Sequence, residues 1–215
     1  MAISNYGELK TAVANWLDRA DLTSRIPEFI AMAETSIHYG VETGVASSEP
    51  LRIRGMETSS DITITTGTGS LPTGFLQARR VYLDGSPVRQ LEFISPLEFW
   101  KRRGSSEAGK PAGYTFEGDS LLTLPTTDTS YTVKLLYYKA FTALSGDSDT
   151  NWLFTNAPAV YLNMTLYEAW SFIGDEAKAI GFLGRAAGVI NSLNSADKMD
   201  RFSGSPMRAV AEFAP

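Results

Sequence analysis

The sequence predicts an α+β protein: an antiparallel helical bundle drawn from its two end segments, a β-rich central insertion, and an extended C-terminal tail. Three observations carry this. Apolar residues recur at helical spacing near both ends, the period falls to two from about Pro50, and a turn as short as Gly174-Asp175 forces its two flanking helices to lie antiparallel. The boundaries read as 1–45 with 146–201 for the bundle, 46–145 for the β-rich part and 202–215 for the tail.

The elements follow in order. Asn5 and Glu8 have the spacing of a capping box, and Tyr6, Leu9, Val13, Trp16 and Leu17 follow as a helix to about Asp18. A cap at Asp21 or Thr23 leads into Ile26, Phe29, Ile30, Ala33 and Ile37, with Pro27 tolerated in the first turn. This second helix is expected to stop near Tyr39-Gly40 or run a few residues past it. Leu51 with Ile53, Ile62 with Ile64 and Val81 with Leu83 then alternate as short strands. Asp84-Gly85 predicts a tight hairpin between Arg79–Leu83 and Val88–Phe93, since glycine accepts the positive φ of a type I′ turn, and Gly118-Asp119 predicts a second. Ser95-Pro96 opens a short helix through Leu97, Phe99 and Trp100, and Tyr131–Lys139 reads as the longest strand.

Asn151-Trp152-Leu153 and Ala157-Pro158 introduce a helix ending near Ile173. Val160, Leu162, Met164, Leu166, Tyr167, Trp170 and Phe172 cover most of its circumference, which marks it as the buried centre. The returning helix runs to about Lys198. It carries Gly181, Gly184 and Gly188, each costing about 1 kcal/mol of helix propensity against alanine, so something is expected to pack closely there. Either the preceding helix or a neighbouring subunit satisfies this.

Composition narrows the chemistry. The chain has 215 residues, no cysteine and one histidine, which excludes disulfides, thiolate metal sites and most imidazole catalysis. No apolar run reaches the roughly 18 residues of a membrane span, and Met1-Ala2-Ile3-Ser4-Asn5 does not have the pattern of a signal peptide. The net charge is −5, with −3 in each end segment and +1 in the middle, a balance opposed to gripping nucleic acid through its phosphates. An acidic surface past which DNA slides is compatible with it.

Several motifs resemble chemistry and fall short. Gly104-Ser105-Ser106-Glu107-Ala108-Gly109-Lys110 has P-loop spacing, but Pro111 stands where a Ser or Thr must hold Mg²⁺, so a surface loop is the better reading. Gly67-Thr68-Gly69 opens like a dinucleotide fingerprint, but Pro72 occupies the third glycine position. His38 is expected on the polar side of its helix, as a surface or interface histidine. Arg79-Arg80 and Lys101-Arg102-Arg103 are basic clusters suited to solvated edges, or to an acidic partner or DNA. Asp147, Asp149 and Asp175-Glu176 sit where helix caps favour negative charge, which makes capping the better reading than acid–base work. The tail carries Phe202, Pro206, Met207, Val210 and Phe213, more large apolar groups than a solvating segment needs, and reads as a docking segment; packing back on its own domain is the alternative.

Tyr6-Gly7-Glu8-Leu9, Trp16-Leu17-Asp18-Arg19 with Asp21-Leu22, Arg25-Ile26-Pro27-Glu28-Phe29-Ile30, Tyr82-Leu83-Asp84-Gly85 and Asn151-Trp152-Leu153 before Ala157-Pro158 together resemble the head-to-tail adaptor (connector, or head-completion) proteins of tailed bacteriophages. The resemblance spans nearly the whole chain and is weakest from Ser47 to Thr73. It implies a structural virion protein at the head–tail junction, assembled in the host cytoplasm and not an enzyme. Such adaptors form a ring, usually dodecameric, beneath the portal protein. They continue the DNA ejection channel, with no sequence-specific grip on the genome, and attach a tail or nozzle protein, or fibres, below. On this chain the portal contact would fall to Phe202, Pro206, Met207, Val210 and Phe213, and subunit packing to Gly181, Gly184 and Gly188. No cofactor, metal or membrane is implied. Two readings from other classes stand beside it: a non-catalytic carbohydrate- or protein-binding β module of a tail or fibre complex, and, more weakly supported, a hydrolase using carboxylate or lysine chemistry.

Overall fold

The computed structural model describes residues 3–103 and 107–201. The chain is mixed α and β and separates into two compact units, one from Met1–Gly55 with Thr142–Pro215, the other from Met56–Phe141.

The first unit opens with α1, Tyr6–Leu17, capped by the Asn5 side chain, which accepts from the Glu8 amide at 2.9 Å. Glu8 closes back onto Ser4, accepting from its amide at 2.7 Å and its hydroxyl at 2.6 Å, one residue earlier than the capping-box reading places it. Leu9, Val13 and Leu17 are buried, while Trp16 is 53% exposed. A 3-10 turn at Ala20–Arg25 precedes α2, Ile26–Tyr39. The cap expected at Asp21 or Thr23 does not form: Asp21 pairs with Arg19, and Arg25 occupies the cap position without a side-chain bond. Nor does helix continue past Gly40. Its φ of +81° turns the chain into a hairpin of β1, Val41–Glu42, and β2, Ser47–Ser48, and a Cβ there would lie 2.8 Å from the Ser48 carbonyl. Leu51 and Ile53 are buried but join no strand, a departure from the alternation.

The second unit contains β3 (Glu57–Ile64), β4 (Thr68–Ser70), β5 (Phe75–Leu83), β6 (Arg89–Gln90), β7 (Glu92–Phe93), α3 (Pro96–Arg103), β8 (Gly113–Glu117), β9 (Ser120–Leu124) and β10 (Tyr131–Lys139). They form two four-stranded sheets, β3-β10-β5-β6 and β4-β9-β8-β7. Strand β10 lies antiparallel between β3 and β5 and turns Val133, Leu135 and Tyr137 into a core shared with Ile62, Ile64, Val81, Leu83 and Leu121. Tyr131 is only partly buried at its rim. The Gly118-Asp119 hairpin joins β8 to β9, with Gly118 at φ +55°. Asp84-Gly85 behaves differently. It begins a longer loop, because β5 and β6 pair only at Tyr82–Gln90 and Leu83–Arg89, and Pro87 has no amide to continue the ladder. The chain then changes sheets, β7 running parallel to β8. Helix α3 seats Phe99 against Leu122 and Leu124, so β9 is buried on both faces.

The chain re-enters the first unit and forms α4 (Trp152–Asn156), α5 (Pro158–Ile173) and α6 (Glu176–Arg201). Asn151 caps α4, accepting from the Leu153 amide at 3.0 Å, and Gly174 at φ +86° closes α5. Helix α5 packs against α6, α2 and α1, burying Val160, Tyr161, Met164, Leu166 and Ala169. Its last turn breaks the pattern: Phe172 is 53% exposed, against Phe29 and beneath the Arg25 guanidinium.

Candidate interaction site

Helix α6 has two unlike faces. Ala179, Leu183, Ala186, Ala187 and Ile190 are buried, as the i, i+3, i+4 recurrence requires of a stripe facing the bundle. Gly181, Gly184 and Gly188 are exposed, and a Cβ on any of them would meet nothing within 4 Å among the described residues. The preceding helix therefore does not explain them: α5 lies on the opposite face. A 26-residue helix thus carries three costly glycines on a face with nothing against it among the described residues.

The buried stripe continues in polar residues. Asn194 and Asp197 follow Ile190 at i+4 and i+7, and both are buried. Asn194 accepts from the Arg52 amide at 2.9 Å and donates to the Pro50 carbonyl at 3.1 Å. Asp197 accepts from the Arg54 amide at 2.8 Å and from Arg201 Nε at 2.6 Å. Arg54 also reaches Asp200 at 2.8 Å. Residues 50–53 are thereby held as a strap on helix side chains, ahead of a 3-10 turn at Arg54–Met56, which is why Leu51 and Ile53 are buried without belonging to a sheet. Burial pushes the Asp197 carboxyl up, but the Arg54 amide and the Arg201 guanidinium outweigh it and hold it below its ordinary value. Beside the strap, Trp152 closes a groove of about 470 Å³ with Ile53, Gly55 and Leu193. Gly55 lets the ring lie close, since a Cβ there would sit 3.0 Å from the indole and the ring would have to give by a few tenths of an ångström. The sequence signal for this was available: two polar residues on the apolar stripe of a helix need partners.

His38 is a correction. It is 8% exposed, packed within the unit, and burial pushes its imidazole down to about 4, with the Arg52 charge acting the same way. Arg52 donates to the His38 carbonyl at 2.9 Å. Nearby, Asn151 donates to the Tyr161 hydroxyl at 2.7 Å, and that hydroxyl donates to Glu34 at 3.3 Å. Glu168 accepts from the Ser36 hydroxyl at 2.8 Å. Burial raises both Glu34 and Glu168. These are cross-braces between α2, α5 and the segment before α4.

The remaining motifs take structural roles. Asp175 accepts from the Lys178 amide at 3.1 Å, at the start of α6. Asp147 pairs with Lys10 at 2.6 Å, and Asp149 accepts from the Ser145 and Gly146 amides, each at 2.8 Å, tying this loop to α1. Gly69 lies flat on β3, where a Cβ would fall 2.5 Å from Ile62 Cγ2. Of the P-loop-like segment, Gly104, Ser105 and Ser106 lie outside the described residues; the remainder follows α3 and leads to β8, without the flanking strand and helix of a phosphate loop. Arg79 pairs with Glu57 at 2.6 Å, and Arg102 with Glu98 at 2.8 Å. The proposed portal contacts Phe202, Pro206, Met207, Val210 and Phe213 also lie outside the described residues. Among the described residues no group of three or more acidic or histidine side chains is placed to hold a metal ion, and no helix is long and apolar enough to cross a membrane.

The charge divides with the units. Residues 1–55 and 142–215 hold ten basic and fifteen acidic side chains, hence the whole −5, while residues 56–141 hold nine of each. A family model described as SU10 adaptor protein matches residues 4–210. No curated protein matches the chain.

Proposed function

We propose, since the chain belongs to the SU10 adaptor protein family, that this phage adaptor assembles as a ring, a dodecamer, beneath the portal. There it extends the DNA channel and offers the attachment surface for a tail or nozzle protein or for fibres. The observation that carries subunit contact is the open glycine face of α6, where a neighbouring subunit would supply the close packing that no described residue of the chain gives. The unit holding the −5 charge suits a channel wall that repels phosphate and lets DNA pass. Phe202, Pro206, Met207, Val210 and Phe213 form the portal contact. Three or four large side chains leaving water at about 1.5–3 kcal/mol each offset the cost of ordering the segment.

The test is the native mass of the chain alone and after mixing with the portal protein, for the full chain and for a truncation after Arg201. The full chain is expected to join the portal as a stoichiometric ring, and the truncated chain to keep its fold and lose attachment. A full chain that ignores the portal overturns the reading, and a truncated chain that still attaches overturns the role of the tail.

A further inference from the structure

Helix α2 also carries an exposed apolar face. Ile26, Phe29, Ile30, Ala33 and Ile37 form its buried stripe, while Glu28, Met32, Thr35 and Tyr39 recur on the side turned away from it and are all exposed. Met32 is 44% exposed and Tyr39 68%. Seven residues apart on one helix, these two large side chains stand about 10.5 Å from each other along the axis, as a ridge of two knobs.

The glycine face of α6 has the matching dimension. Gly181 and Gly188 are likewise seven residues apart, with Gly184 between them, and among the described residues a Cβ on any of the three meets nothing within 4 Å. Ridge and notch do not meet within one copy, since both helices pack on α5 and each turns the face in question away from its own buried stripe. Two α2 faces brought together about a two-fold axis would set ridge on ridge, and two α6 faces notch on notch. Knobs fill holes only when the unlike faces meet, and such a heterologous contact repeats from copy to copy and closes where the rotation permits.

The helix directions agree with this. Phe29 meets Phe172, 5.5 Å between ring centres, while Glu34 and Ser36, further along α2, reach Tyr161 and Glu168, earlier in α5. Helix α2 therefore runs against α5, and the tight turn at Gly174-Asp175 sends α6 back against α5 as well. Within one chain α2 and α6 are broadly parallel. The rotation between neighbours in a closed ring, about 30° for twelve copies, leaves α2 of one copy broadly parallel to α6 of the next. In that register Glu28, one turn before Met32, comes beside Lys178. Arg185, the one charge between Gly181 and Gly188, comes opposite residues 33–38, which include no lysine or arginine.

Resting on the ring-forming reading above, we propose that the partner of the α6 glycine face is α2 of the next copy, with Met32 seated on Gly181 and Tyr39 on Gly188. The first test mixes portal protein with wild type and with the pair Met32→Ala and Tyr39→Ala, reading copies bound per portal by native mass. Both side chains are exposed, so the variant is expected to keep the thermal transition of the free chain. It is expected to need a concentration about tenfold higher or more to fill the portal. A variant that fills the portal like wild type overturns the proposal; wild type failing to join the portal overturns the adaptor reading instead.

The second test reads the register. The chain has no cysteine, so single thiols can be placed on separate copies and any mixed disulfide is a contact between copies. Met32→Cys chains mixed with Gly181→Cys chains, and Tyr39→Cys with Gly188→Cys, are expected to link on mild oxidation at the portal. The crossed mixtures, Met32→Cys with Gly188→Cys and Tyr39→Cys with Gly181→Cys, are displaced by about 10 Å along the helices, beyond the roughly 7 Å that a disulfide spans between Cα atoms, and are expected not to link. Linkage confined to the crossed mixtures, equal in all four or absent from all overturns the contact.

Discussion

Asp197 accepts the backbone amide of Arg54 at 2.8 Å, so a helix side chain satisfies the first amide of the 3-10 turn at Arg54–Met56. Asn194 bonds the Arg52 amide and the Pro50 carbonyl, so α6 takes the place of a β partner for the strap at 50–53. The strap leads directly into the β-rich unit, so its anchoring decides where the helical unit ends.

Replacing Asp197 by Ala leaves the Arg54 amide without its acceptor and is expected to cost about 1–3 kcal/mol in chemical denaturation of the full chain. Asp197→Asn keeps an acceptor and is expected to cost less. The carboxyl is held below its ordinary value in the fold, so its contribution is present above the unfolded value near ~4 and is lost as pH falls through the folded one. If Asp197→Ala unfolds at the wild-type denaturant concentration, the strap is not held this way.

His38 sets a different pH dependence. Its folded pKa of about 4 lies below the ordinary histidine value of 6.5, so the fold excludes a proton that the unfolded chain accepts. Stability is full above the ordinary value and is lost as pH falls from there through about 4, with up to ~3 kcal/mol at stake. Half-buried Glu34 and Glu168, raised in the fold, act in the opposite sense: their contribution is fullest below the unfolded glutamate value and is lost as pH rises through their folded ones. Urea midpoints of wild type and His38→Gln at pH 7.5 and 4.5 separate these effects, and the variant is expected to lose markedly less stability than wild type between the two.

Gly69→Ala tests the approach of the two sheets. The new methyl would meet Ile62 Cγ2 at 2.5 Å and Ile64 Cδ1 at 2.6 Å, and both neighbours are buried. Overpacking of this kind is expected to cost about 1–3 kcal/mol in the β-rich unit, read as an earlier thermal transition. An unchanged transition would mean that β4 shifts freely on β3.

The α6 glycines are expected to separate folding from assembly. With open space at each Cβ, Gly181→Ala, Gly184→Ala and Gly188→Ala together should stabilise the free chain, by at most about 1 kcal/mol each. The same triple variant should join the portal less well, because the added methyl groups hold a neighbouring subunit away. A variant both more stable and fully competent in assembly would remove the reason for placing a subunit there.

Much of the architecture could be read from the sequence because its causes are local. Asn5 and Asn151 cap helices through bonds reaching two or three residues, Pro27 stands where a helix needs no amide donor, and Gly174 supplies the left-handed turn after α5. The period of two from Tyr131 to Lys139 marks the strand whose alternate side chains enter the β core. These features depend on neighbours along the chain, and the sequence by itself determined them.

Only the tertiary structure decided the rest, since partners remote in sequence settle it. Arg54 and Asp197 are 143 positions apart, and that bond turns an apparent strand at Leu51 and Ile53 into a strap. His38 is buried because other segments cover its helix, which periodicity along α2 does not reveal. The glycines of α6 show the same limit from the other side: propensity says that something must lie against them, while the geometry shows that within the described residues it is not this chain's own packing. Helix propensity is set residue by residue, whereas burial and hydrogen-bond satisfaction are set by whatever the fold brings alongside.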